Sequence, residues 1–164
     1  MNPGQGGWLI LLTLVASLLL AIVHLPTALP AWTGWLRPAW VVLVLFFWII
    51  HAPHRLGLIA CWLFGAFLDV LRAEPLGLNG LIFATLTFIG WQFYERLRMY
   101  SVLQHAALLF LLVLGAEGFR AAVLYFLLDA EGSFGIVVTA GVSAVCWPLV
   151  YGALSALCRT FRVE

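Results

Sequence analysis

Apolar runs of close to twenty residues follow one another along almost the whole chain, broken only by short stretches rich in Arg, Pro, Gly and acidic residues. Such runs leave the backbone few options. In hydrocarbon every N–H and C=O must be satisfied without water, so a run of about 20 apolar residues there folds as a helix. The composition agrees, with 65% hydrophobic and 9% charged residues and a mean hydropathy of +1.10, against roughly 25% charged in soluble domains. The expected class is all-α: a polytopic membrane protein, one integral domain over residues 1–164, built as a bundle of six transmembrane helices.

The expected spans are about 8–25, 38–53, 56–71, 76–93, 102–128 and 134–157. The second is the odd one. Its clean apolar core, Trp40 to Ala52, is fenced by Pro38 and Pro53 and covers only ~20 Å at about 1.5 Å per residue. Either flanking residues such as Trp35 and Leu36 extend it, or the bilayer thins locally.

Orientation follows from the arginines, which supply all eight cations of the chain. With the N-terminus inside, Arg55, Arg96, Arg98, Arg159 and Arg162 collect on one side and only Arg37 and Arg72 on the other. The richer side is expected to be cytoplasmic, with both termini. The outer loop Pro26 to Pro38, with Trp32 and Trp35, is expected at the membrane interface, and the loop carrying Asp129 and Glu131 is acidic. No cation precedes the first apolar run and no small-residue cleavage site follows it, so a removable signal peptide is not expected.

Several functional classes find no support. The net charge of +1 and the lack of a basic face argue against nucleic acid. Cys61, Cys146 and Cys158 have no metal-ligand spacing and read as chemically silent. His51, Pro53, His54 and Arg55 form a cluster after the second run. Without a third ligand they read as a positive anchor for lipid headgroups and not as a metal site. Ser143 lacks the glycine pattern of a nucleophile elbow. No catalytic, cofactor-binding or metal-binding residues are assigned.

Two polar features need a reason to exist. Asp69 lies at the end of the third run, where a carboxylate is expensive unless it is satisfied. It reads as a cap for the following turn or a partner of Arg72, three residues on, in preference to a proton carrier. Glu117 and Arg120 lie three apart inside the long fifth run, on one helix face, near mid-membrane. Two readings stand: an internal salt bridge that fixes packing, or a site that couples this helix to another protein. Small residues four apart, Gly80 with Ala84, Ala140 with Ala144 and Gly152 with Ala156, allow close helix approach.

Two stretches together resemble a known family. Arg37-Pro-Ala-Trp-Val-Val-Leu-Val-Leu-Phe-Phe-Trp48-Ile-Ile-His-Ala-Pro53-His54-Arg55 is followed by Gly65-Ala-Phe-Leu-Asp69 and Leu76-Gly77. They are similar to the rod shape-determining protein MreD family, as is Trp147-Pro148. The resemblance implies a non-enzymatic inner-membrane subunit of the bacterial cell-elongation complex. Its implied partners are MreC, RodA with its class B penicillin-binding protein, MreB directly or through the complex, and membrane lipids. It also implies a bundle similar to the substrate-binding subunits of energy-coupling-factor transporters. The matching motif residues are Pro38, Trp48, Pro53, Arg55, Gly65, Asp69 and Gly77, and Glu117 and Arg120 fall outside them.

The alternative is a small-molecule-binding subunit of a vitamin-type transporter, with a polar pocket opening outward. Its docking signature is a small-xxx-small pattern on the first helix, and Ala16 and Ala21 are five apart, off that register. The scaffold reading is therefore preferred.

Overall fold

A computed structural model describes residues 5–22, 37–128 and 135–161. The tryptophans of the first outer loop, the acidic loop with Asp129 and Glu131, and Arg162 lie outside the described residues. Among the described residues the chain is all-helical, with six α-helices: α1 (Gln5–Ile22), α2 (Trp40–His51), α3 (Leu58–Arg72), α4 (Leu78–Leu97), α5 (Val102–Leu128) and α6 (Gly135–Thr160). A 3₁₀ turn, Pro53–Arg55, links α2 to α3. By length and composition α5 and α6 can cross a bilayer, whereas α1 and α2 are apolar but shorter. Helix length alone therefore carries two spans, not six.

The short second run is a core helix. Every residue from Val41 to Ile50 is buried, and α2 touches α1, α4, α5 and α6. A helix that is apolar all round is stable only when enclosed. Enclosure also removes the length problem, since a helix sheathed by protein does not have to match the thickness of the lipid. Trp48 ties it to α1 by donating its indole N–H to Thr13 Oγ1 at 2.8 Å. At its start, the Ala39 N–H donates to Ser143 Oγ of α6 at 2.9 Å. Ser143 itself donates to the Thr139 carbonyl at 2.7 Å, so its hydroxyl is committed to packing.

Helices α3 and α4 form a hairpin that depends on absent side chains. A Cβ on Gly65 would lie 2.5 Å from Asn79 O and from Gly80 N and Cα. Two backbones meet there directly, as small-residue crossings in membranes allow. The outer surface is apolar in turn. On α3 alone Ile59, Leu63, Phe67 and Val70 are exposed, and comparable residues cover α1, α5 and α6. So much outward-facing hydrocarbon suits lipid or partner helices, not water.

Trp8 and Phe161 stack edge to face with ring centroids 6.1 Å apart, which puts the start of α1 and the end of α6 on the same side of the bundle.

Candidate functional site

At the opposite end, the turn between α3 and α4 organises a chain of polar contacts. Helix α3 stops because Ala73 takes a left-handed conformation, φ 53°. The Glu74 N–H then reaches back to the Asp69 carbonyl at 3.0 Å, and Pro75 prevents the helix from resuming. Helix α4 starts at Gly77, whose φ of 93° is a conformation that glycine adopts without strain. Glycine has no side chain with which to cap the helix it opens.

Asp69 supplies the missing cap from one helix away. Its Oδ2 accepts the Gly77 N–H at 2.8 Å, and its Oδ1 accepts the Asn79 N–H at 3.0 Å and the Asn79 side-chain amide at 2.7 Å. The residue is 0% exposed. A carboxylate at a helix N-terminus is favoured by the macrodipole and by these charge-assisted bonds. The expected capping role is what the geometry provides; the alternative pairing with Arg72 does not occur among the described ion pairs.

From Asn79 the contacts continue into α5. The second hydrogen of its amide goes to Glu74 Oε2 at 2.8 Å. The other oxygen of Glu74 forms an ion pair with Arg120 Nη2, and Arg120 Nη1 reaches Glu117 Oε2 at 3.1 Å. The expected Glu117–Arg120 pair therefore exists, but it is not self-contained. It also lies level with the α3–α4 turn, where Arg120 meets Glu74. Glu74 and Asn79 were not singled out from the sequence. Glu74 is 46 positions from its partner, a separation no local spacing rule detects. Asn79 carried a weak signal, as the polar second residue of an apolar helix.

Beside these contacts lies a polar cavity of about 480 Å³. Arg37 and Pro38 face it from the start of α2, Arg72 and Glu74 from the α3–α4 turn, and Glu117 and Arg120 from α5. Arg37 and Arg72 make no ion pair among the described residues, and Arg120 Nε is buried without a hydrogen-bond partner.

The structure thus brings Pro38, Gly65, Asp69, Gly77, Glu117 and Arg120 to one end of the bundle or to the hairpin leading there. The other candidates lie elsewhere. Trp48 is in the centre of the core; Pro53 is buried in the 3₁₀ turn, where its carbonyl accepts the Trp91 indole N–H at 3.1 Å; Arg55 is exposed beside it. His51 places Nδ1 3.0 Å from the Phe47 carbonyl and stacks on the Phe47 ring, and like His54 and Arg55 it is exposed. The three cysteines are free.

Neither a curated protein nor a solved structure matches the chain. A family model does, over residues 4–157: that of the rod shape-determining protein MreD. The match reaches into all six helices, and the chain belongs to that family.

Proposed function

We propose that this member of the MreD family is a non-enzymatic, six-span scaffold in the bacterial inner membrane, which binds MreC and so helps to control peptidoglycan synthesis during cell elongation. RodA, its class B penicillin-binding partner and MreB are reached within the same complex. The observation that carries this reading is the family match over residues 4–157, which supports a role in determining rod shape. The use of the motif side chains is in keeping with it. Trp48 bonds to Thr13, the Pro53 carbonyl to Trp91, and Asp69 to Gly77 and Asn79, while Gly65 admits the α4 backbone. Each holds one helix against another and leaves the apolar exterior for contact with other membrane proteins.

Six spans with both termini cytoplasmic agree with the arginine bias and with the meeting of Trp8 and Phe161. An even number of crossings returns the chain to the side where it began.

The test is purification of tagged full-length protein in mild detergent, followed by identification of what accompanies it. Recovery of MreC is expected. Recovery of an ABC-type energising module in its place would refute the scaffold reading and favour the second one, a small-molecule-binding subunit of a vitamin-type transporter. That second reading is kept because of the polar cavity.

A further inference from the structure

The cavity beside the α3–α4 turn is lined by three guanidinium groups, Arg37, Arg72 and Arg120, and by two carboxylates, Glu74 and Glu117. Their distribution matters more than their number. Both carboxylates are committed to Arg120, one on Nη1 and the other on Nη2. Arg37 and Arg72 are left without an ion-pair partner among the described residues, although Arg72 feels the charges of Arg37, Arg120, Glu74 and Glu117. Asp69 is wholly buried behind the wall with its oxygens taken by N–H donors, so it forms an ion pair with neither Arg37 nor Arg72 among the described residues. On the wall itself three arginines face two carboxylates.

Arginines packed among the helices of an apolar bundle are costly unless something compensates them. Three further facts concern what would do so here. Arg120 Nε is buried and unpartnered, so a hydrogen-bond donor at the site is unused. Gly135 and Ile136 of α6 also line the cavity. The volume, about 480 Å³, lies in the range of sites that enclose an organic ligand and not merely a single ion.

We propose that this cavity binds a phosphate-bearing ligand, gripped by Arg37 and Arg72, with Arg120 held in place as the third cation by Glu74 and Glu117. The forked, planar guanidinium matches phosphate oxygens two at a time, which a point charge cannot do. At the end of an apolar bundle the phosphate comes either from a lipid headgroup or from a soluble compound, and the same donors serve both. The proposal goes beyond the scaffold reading and stands independently of which partner the exterior holds.

The experiment uses full-length protein in a phosphate-free glycoside detergent, with thermal unfolding followed by tryptophan fluorescence. One arm adds sodium phosphate against sodium chloride at equal ionic strength. The other adds phosphatidylglycerol against diacylglycerol with the same acyl chains. A rise in Tm with phosphatidylglycerol alone identifies a lipid headgroup, and a rise with free phosphate identifies a soluble ligand. Either rise should be largely lost in the double variant R37Q/R72Q and retained in R159Q, which removes an exposed arginine at the other end of the bundle. If the double variant does not purify, R72K keeps the charge but loses the fork and should weaken the response severalfold. Absence of any rise in the unaltered protein, or a rise undiminished by these changes, overturns the proposal.

Discussion

Replacing Asp69 by Leu and by Asn separates the cap from its charge. The carboxylate accepts three N–H groups in a fully buried setting. Leu accepts none of them, and each stranded donor costs about 1–3 kcal/mol. Allowing for some relaxation, the total is about 3–6 kcal/mol, a large share of the ~5–15 kcal/mol that stabilises a typical protein. Asn keeps one oxygen, which can serve both Asn79 donors, but turns its amide towards the Gly77 N–H. One bond is lost, together with the charge at the α4 N-terminus, for about 1–3 kcal/mol. Unfolding in detergent should therefore rank the unaltered protein above Asp69→Asn and Asp69→Asn well above Asp69→Leu. If Asn were as damaging as Leu, the negative charge itself would be the requirement and a proton or ion role would return. If neither were damaging, the cap would contribute nothing to stability and the reasoning would fail.

Other outcomes follow from the same geometry. Gly65→Ala drives a methyl group into the α4 backbone at 2.5 Å and should lower stability, whereas Gly118→Ala, where nothing lies within 4 Å, should raise it by roughly 0.5–1 kcal/mol through helix propensity; equal effects in the same unfolding assay would contradict the close crossing. Ala73→Gly relieves a left-handed residue and should raise stability by about 1 kcal/mol, which a lower Tm would disprove. Arg120→Gln strands two carboxylates, whereas Glu117→Gln leaves Arg120 its bond to Glu74, so the arginine change should be clearly the worse of the two; E117Q/R120Q should not recover full stability unless Glu74→Gln is added. Reporter fusions after Arg98 and after Arg162 should both read cytoplasmic, and a periplasmic signal from either would invert the arginine argument.

Legibility from the sequence varied with the range of the interaction. Helix α5 begins where its apolar run does, at Val102, because solvation by lipid acts on each residue separately. Helix α4 runs on to Leu97, past the expected end at residue 93, because Tyr94, Glu95 and Arg96 leave the apolar pattern without leaving the helix: polar and aromatic side chains are tolerated in the last turn. The Asp69 cap was readable as a class of contact, since a carboxylate at the end of an apolar run needs donors from the following turn, but not as bonds to Gly77 and Asn79. Glu74 was invisible as a partner for Arg120, because their meeting depends on how the α3–α4 hairpin leans against α5. The Glu117–Arg120 pair was readable from its spacing of three. Its level beside the α3–α4 turn was not, because that too depends on how the hairpin leans against α5.

The enclosure of α2 has a consequence for the order of assembly. During synthesis α2 emerges long before α4, α5 and α6 are available to surround it. At ~5–20 residues per second, on the order of ten seconds separate translation of Ile50 from that of Leu154. Until α4 is complete at Leu97, α1 is the only finished helix among those that pack on α2, offering the face of Leu9, Thr13 and Ser17 and the hydroxyl that receives the Trp48 indole. Helix α1 thus acts as a temporary shelter, and weakening it should lower the yield of assembled protein more than the thermal stability of the molecules that complete assembly.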